Sequence, residues 1–134
     1  MTPNLHAFCS ATLGTRELSI TPRPPATFQS NALHDVRTRD GHYIAKVYLN
    51  EREWDDAPHR EFLGLKLVEA LGIAPRVIAM TAAPEPVVLY EFLPGAAWDR
   101  RTPQPGDLDA LLDLLLRMQA LHSDHPRLTH RPNR

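Results

Sequence analysis

Two charged residues stand where the surrounding pattern is apolar, and they are the candidates for chemistry in this 134-residue chain. Lys46 lies in "HYIAKVY", residues 42–48, between Ile44 and Tyr48 on one face of an expected strand. Glu61 lies on the apolar side of an expected helix that follows this strand. Leaving one member of a buried ion pair unmatched costs about 3–5 kcal/mol. We therefore predict that Lys46 and Glu61 form an ion pair, an ammonium held by a carboxylate.

A purely structural explanation exists for each residue taken alone. Lys46 would extend from an edge strand to solvent with its aliphatic part on apolar surface. Glu61 would be exposed on a helix that is apolar nearly all round, where a surface ion pair contributes little. The order of strand and then helix favours the paired interpretation, because the two elements can face each other.

Two hairpins are expected. The first spans residues 32–50, with Asp40-Gly41 as the two central turn residues, a dipeptide favoured where both need positive φ. The second joins "PRVIAM", residues 75–80, to "VVLYEF", residues 87–92, through a turn whose prolines cannot sit inside a ladder. The pattern predicts an antiparallel sheet.

Two helices are also expected. In residues 51–71 leucines recur at helical spacing, Pro58 marks a break or first turn, and Gly72 is placed to end the helix. The second, "DLDALLDLLLRMQALH", spans residues 107–122 and is expected to be capped by Asp107. Its apolar positions cover more than one face, which predicts that something else packs on it.

The order of strands, helix, strands and helix predicts an α+β fold around a small antiparallel sheet. We expect an N-terminal extension over residues 1–25 and the main sheet-and-helix unit over residues 26–95. A linker with the Leu-rich helix follows over residues 96–122, and a polar tail over residues 123–134. The ordered fold is expected to begin just after the proline-rich "TPRPP", residues 21–25.

The composition narrows the function classes. A formal net charge of -1 gives no basic surface for nucleic acid. The single cysteine, Cys9, cannot form an internal disulfide, and no cysteine and histidine spacing is typical of a zinc site. No stretch approaches the roughly 18 apolar residues of a membrane span, and the first residues lack the pattern of a secretion signal. We expect a cytoplasmic protein that binds neither membrane nor nucleic acid.

From about Phe28 to His122 the chain resembles the aminoglycoside phosphotransferase and choline kinase-like family, which has a protein-kinase-like fold. The resemblance is carried by the order and spacing of Lys46, Arg60-Glu61, "GIAPRV" and "YEFLPG". It implies that residues 26–95 are the nucleotide-binding N-terminal lobe and hinge, with about five antiparallel strands and one long helix. Residues 96–122 would then contain the first helix of the second lobe.

By the same resemblance the family's activity is the ATP-dependent transfer of the γ-phosphate to a hydroxyl of a small acceptor. The cofactors implied are ATP and Mg²⁺. Lys46 would hold the phosphates of ATP and Glu61 would position Lys46. In "TFQSNALHDV" the loop over the phosphates lacks glycine, and Ser30 and Asn31 would offer the donors there, although both are also ordinary turn residues.

The segment "YEFLPG", residues 90–95, would be the hinge that meets adenine. Tyr90 would be the gatekeeper at its start. The backbone carbonyl of Glu91 and the amide of Leu93 would bind the adenine edge, while Val36 and Ile44 would cover its face. The alternative for this segment is a plain buried strand that ends in a turn.

The family's catalytic loop, H-x-D-x-x-x-x-N, does not occur in the chain. The segment "HSDHPRLT", residues 122–129, contains H-x-D, but Thr129 stands where asparagine is required, so Asp124 is not expected to be catalytic. We expect no catalytic residue and no Mg²⁺ ligand in this chain, and a truncated kinase portion that is inactive alone.

Two other functions remain open from the sequence. The first is a non-catalytic kinase-like module that uses the Leu-rich helix of residues 107–122 to bind either a partner protein or a second copy of the chain. An unrelated α+β ligand-binding domain, in which the Lys46–Glu61 pair is structural, is the second.

Overall fold

The computed structural model of the protein describes residues 3–24, 31–82, 84–95 and 102–121. The main elements are α1 (Pro3–Leu13), β1 (Leu18–Pro22), β2 (Asn31–Thr38), β3 (His42–Tyr48), α2 (Ala57–Val68), β4 (Val77–Thr81), β5 (Val87–Glu91) and α3 (Pro105–Gln119). Short 3₁₀ turns at Glu51–Glu53 and Glu69–Leu71 flank α2. The fold is α+β, as predicted, and consistent with a kinase-like N-terminal lobe.

The five strands form one antiparallel sheet in the order β1-β2-β3-β5-β4. Both predicted hairpins are present, β2 with β3 and β4 with β5. Because β5 lies between β3 and β4, strand β3 is paired on both sides. Lys46 is therefore on a central strand, and the explanation that it extends from an edge strand is wrong.

The turn between β2 and β3 differs from the prediction. The N–H of Thr38 donates to the carbonyl of Gly41 at 2.9 Å, so Arg39 and Asp40, and not Asp40 and Gly41, are the central residues. The Thr38 hydroxyl accepts from the N–H of Asp40 at 3.3 Å and supports this turn. Gly41 lacks a left-handed φ, and a Cβ there would lie 2.6 Å from the hydroxyl of Tyr43. A side chain at this position would therefore require the Tyr43 ring to move.

The two helices α1 and α2 cover opposite faces of the sheet. On the α1 face Leu5 and Cys9 pack with residues of the strands in one buried cluster, comprising Val36, Ala45, Val47, Val87 and Leu89. On the α2 face Tyr48, Val77 and Val88 form a second cluster against Phe62 and Leu65 of α2. Successive strand residues point to opposite faces, so β3 contributes to both clusters.

The expectation that the ordered fold begins after Pro25 is wrong. Residues 3–13 form α1, and residues 18–22 form β1, the edge strand that pairs with β2. Of α1, Leu5 and Cys9 are the buried hydrophobic residues, and they lie four positions apart on one side of the helix. Pro22 is tolerated in β1 because an edge strand needs only one ladder.

Helix α2 is shorter than the helix expected over residues 51–71, because short 3₁₀ turns form at the two ends of that segment. Pro58 is in its first turn and buried, and Gly72 has a left-handed φ of 64° after the closing 3₁₀ turn. A residue without a Cβ adopts this conformation at least cost, so the glycine ends the helix. The helix that carries Glu61 thus has a proline in its first turn and a left-handed glycine after its last turn.

Helix α3 is present but begins two residues before the predicted start. Its N-cap is Gln104, and Asp107 is the third helical residue, so the prediction that Asp107 caps the helix is wrong. The Asp107 carboxylate instead accepts from the N–H of Gln104 at 2.9 Å. The predicted end at His122 lies outside the described residues. Six of its apolar side chains are exposed: Leu108, Leu111, Leu112, Leu115, Leu116 and Met118.

Candidate functional site

The predicted ion pair between Lys46 and Glu61 is present. The Lys46 Nζ lies 3.0 Å from Glu61 Oε2 and 3.2 Å from Oε1, across the gap between β3 and α2. Each side chain is only about a quarter exposed, with 23% and 24% of its surface accessible. An ammonium held in this way, with part of its surface open, can attract an anionic ligand.

Tyr48 is a third member of this site that the sequence reasoning missed. Its hydroxyl donates a hydrogen bond to Glu61 Oε2, and the Lys46 Nζ lies 5.3 Å from the centre of its ring. Burial raises the pKa of Tyr48, and the bond to Glu61 raises it further, so the phenol keeps its proton and acts as a donor. The available signal was its position two residues after Lys46, on the same face of the strand.

The two apolar residues predicted to cover the base lie on opposite faces of the sheet. Ile44 is on the face of Lys46 and is 5% exposed. Val36 is the strand partner of Tyr43, which points to the other face, and Val36 is buried against α1. On β2, the apolar residue Leu33 is the strand partner of Lys46 and therefore shares the face of Ile44. Leu33, and not Val36, lies on the face of the candidate site.

Tyr90 lies on the same face, opposite Ile44 in the pairing of β3 with β5. Burial, with the charge of Glu61 as the next cause, raises the pKa of Tyr90 to about 12. Its phenol is therefore neutral near neutral pH. The structure thus brings Tyr90 together with Ile44, Lys46 and Glu61.

Glu91 and Leu93, the other two residues predicted for the hinge, have surroundings that differ from those of Tyr90. The Glu91 carboxylate binds the Arg76 guanidinium, with Arg76 Nε 3.0 Å from Oε1, and its N–H donates to the Arg76 carbonyl at 2.9 Å. Leu93 is 59% exposed. Within the described part of the chain, the Leu93 N–H has no acceptor, which leaves it open to a ligand.

Asn31 is brought to the site, whereas Ser30 lies outside the described residues. Asn31 begins β2 and is the strand partner of Tyr48, so its side chain is on the Lys46 face. Its Oδ1 is buried without a hydrogen-bond partner among the described residues. A buried acceptor without a partner is costly, and a ligand donor would satisfy it.

A polar cluster on the same face was not predicted. Arg23 donates from Nε and Nη2 to the two oxygens of Asp35, each at 2.9 Å, and His42 Nε2 lies 2.7 Å from Asp35 Oδ1. The rings of His42 and Phe92 stack with their centres 4.1 Å apart, and the Arg23 guanidinium lies 5.4 Å from the centre of the Phe92 ring. The hydrogen bond to Arg23, followed by that to His42, holds the pKa of Asp35 below its usual value. Asp35 is the strand partner of Ile44, so this cluster adjoins the candidate site.

Residues 3–24, 31–82, 84–95 and 102–121 contain no group of three or more His, Cys, Asp or Glu side chains that could hold a metal ion. None of their helices is both long enough and apolar enough to cross a membrane.

Comparison with known proteins gives one relevant finding. A family model described as the phosphotransferase enzyme family matches residues 23–134, which includes every described residue of the candidate site. No curated protein and no solved structure is similar enough to the chain to count as a match.

Proposed function

The chain belongs to the phosphotransferase enzyme family, and from that premise we propose that it is the ATP-binding part of a small-molecule kinase. The reaction would transfer the γ-phosphate of ATP to a hydroxyl of a small acceptor. The observation that carries the proposal is the Lys46–Glu61 ion pair, which lies on the same sheet face as the apolar residues Leu33 and Ile44. Family membership also removes the alternative of an unrelated α+β domain.

The phosphates are assigned to Lys46. Its ammonium is a compact positive charge on the central strand, and Glu61 fixes the direction in which it points. Asn31, at the start of β2, would add its amide, with Ser30 as a second donor.

The adenine is assigned to the other end of the same face. Leu33 and Ile44 would cover the base, and Tyr90 would bound the pocket at its back. The carbonyl of Glu91 and the N–H of Leu93 would bind the edge of the base, and the Leu93 N–H without a described acceptor supports that role. Apolar cover with a few polar edge contacts is typical of small-molecule sites.

The proposal also assigns the segments of the chain to two lobes of a kinase-like fold. Residues 26–95 would be the nucleotide-binding lobe and hinge, and residues 96–122 a linker with the first helix of a second lobe. Since no H-x-D-x-x-x-x-N segment occurs in the sequence, the catalytic base and the Mg²⁺ ligands would not come from these residues. The chain by itself would therefore bind Mg·ATP without transferring phosphate. A cytoplasmic location, consistent with the free thiol of Cys9, is part of the proposal.

Titration of the full chain with Mg·ATP tests this function. A ligand that binds only the folded state raises the melting temperature as its concentration rises. We expect this rise for the wild type and for Lys66→Met, an exposed lysine on α2, and a much smaller rise for Lys46→Met. The absence of any rise, together with no heat of binding in calorimetry, would contradict the proposal.

A second candidate function is supported by α3, in which five of the six leucines are exposed. Leu112 and Leu116 are each 56% accessible although they are large and apolar. The chain would then be a non-catalytic kinase-like module that binds a partner or forms a homodimer through residues 107–122. Sedimentation at high protein concentration tests the dimer: self-association that Leu112→Glu abolishes supports it, and a monomer at every concentration eliminates it.

A further inference from the structure

We propose that Tyr48 is a positioning residue that holds the Glu61 carboxylate against Lys46 and thereby sets the affinity of the nucleotide site. The inference rests on the proposed function and names a residue that the function does not itself require. Its basis is that Glu61 is bound by two groups of β3, the Tyr48 hydroxyl and the Lys46 ammonium.

The first step concerns how Glu61 is held. A glutamate paired only with a lysine has a flexible partner, because both side chains have several rotatable bonds. The Tyr48 hydroxyl is different, since it is attached to a flat ring with few rotamers. Its hydrogen bond to Oε2 fixes one carboxylate oxygen on β3, and the other oxygen, Oε1, remains 3.2 Å from Lys46 Nζ.

The second step concerns why Tyr48 itself is fixed. Tyr48 is 3% exposed and belongs to the buried cluster with Val77 and Val88. Its backbone carbonyl accepts a hydrogen bond from Trp54 Nε1 at 3.0 Å. The hydroxyl is therefore placed by the core of the sheet, and its position does not depend on a bound ligand.

The third step concerns the lysine. The Lys46 ammonium lies 5.3 Å from the Tyr48 ring centre, within the range of a cation–π contact, and 3.0 Å from Glu61 Oε2. Tyr48 thus restrains Lys46 through its ring and restrains the partner of Lys46 through its hydroxyl. Removal of the hydroxyl alone leaves the ring contact and frees Glu61, so Tyr48→Phe isolates the second effect.

A measurement without nucleotide tests the positioning. The chain has only two lysines, Lys46 and Lys66, so the extent of acetylation at Lys46 can be divided by that at Lys66 in one mass spectrum. Tyr48→Phe is expected to raise this ratio severalfold, because a less restrained Lys46 is more often accessible. Tyr43→Phe removes the same atom from the opposite face of β3 and is expected to leave the ratio unchanged. An unchanged or lowered ratio in Tyr48→Phe would overturn the proposal.

A second measurement tests the link to the nucleotide. Tyr48→Phe is expected to weaken Mg·ATP binding by about three- to tenfold, the range for the net loss of one typical hydrogen bond, because Tyr48 acts on the nucleotide only through Glu61. The same change in a Glu61→Ala background is expected to have no further effect, because Tyr48 acts through Glu61. An equal loss in both backgrounds would overturn the proposal. If the wild type binds no Mg·ATP, the proposed function fails, and the acetylation ratio still decides the role of Tyr48.

Discussion

The Arg23 guanidinium donates two parallel hydrogen bonds to the Asp35 carboxylate, each at 2.9 Å. This contact joins the segment after β1 to the middle of β2, on the sheet face that carries Lys46. His42 and Phe92 complete the cluster, and Phe92 lies in the segment assigned to the hinge. One carboxylate on β2 therefore connects the residue after β1 to the start of β3, beside the place where the base is proposed to bind.

Replacing Arg23 with lysine is expected to raise the pKa of Asp35 toward its ordinary value of 3.8. Lysine keeps the charge but lacks the fork that binds both oxygens. The folded-state pKa of Asp35 is lowered, so its contribution to stability is complete above the unfolded value and is lost as pH falls through the folded value. Carboxyl NMR titration measures the shift. Arg37→Lys, an exposed arginine on the same strand, is the control, and an equal shift in both variants would contradict the assignment.

His34 is expected to make the protein less stable as the solution becomes acidic. It is 9% exposed, and burial lowers its pKa from 6.5, so the unfolded chain binds the proton more readily than the folded chain. The free energy of unfolding should be highest above the unfolded pKa and should fall as pH drops through it toward the folded pKa. Urea unfolding from about pH 8 to about pH 5 measures this. His34→Gln should reduce the slope, and the same slope in wild type and His34→Gln would contradict the prediction.

Leu33 and Val36 are expected to respond differently to truncation. Leu33→Ala removes apolar surface from the proposed nucleotide face and should weaken Mg·ATP binding severalfold. Val36→Ala leaves a cavity under α1 and should cost roughly 2 kcal/mol of stability, without changing the affinity of the folded protein. Calorimetric titration and urea unfolding of both variants check this. Weaker Mg·ATP binding in Val36→Ala and unchanged binding in Leu33→Ala would restore the original assignment.

Alanine substitutions at Gly72, after the 3₁₀ turn that follows α2, and at Gly64, inside α2, should change the free energy of unfolding in opposite directions. Gly72→Ala forces a side chain into a left-handed φ of 64° and should lower the free energy of unfolding by about 1 kcal/mol. Gly64→Ala is in the helix interior, where an added Cβ meets nothing within 4 Å, and should raise it by about 0.5–1 kcal/mol. Urea unfolding measures both. If both substitutions changed the free energy of unfolding in the same direction, backbone conformation would not be the main cause of the effects at these positions.

The hairpins, α2 and the Lys46–Glu61 contact could all be predicted because each depends on local pattern. Alternating apolar and polar residues indicate the strands, and leucines at helical spacing indicate α2. A charged residue on the apolar face of each element predicts an ion pair, because an unpaired buried charge is costly. Helix α1 could not be predicted in this way, since only Leu5 and Cys9 of that helix are buried hydrophobic residues. Two positions are too few to produce a recognisable helical period.

The choice between Leu33 and Val36 needed information that the sequence of β2 does not contain. The two residues are three positions apart, so they must point to opposite faces of a strand, and both are apolar. Only the pairing of Leu33 with Lys46 decides which of them reaches the site. The cluster of Arg23, Asp35 and His42 was missed for the same reason, because its members meet across three strands.

The sheet order has a consequence for synthesis of the protein. Strand β5 follows β4 in the chain but lies between β3 and β4 in the sheet. While the ribosome is still making α2 and β4, the hairpin of β2 and β3 has no neighbour beyond β3, and that edge exposes unpaired N–H and C=O groups. The strand that carries Lys46 thus has an edge that can pair with another chain until Glu91 has emerged and β5 covers it.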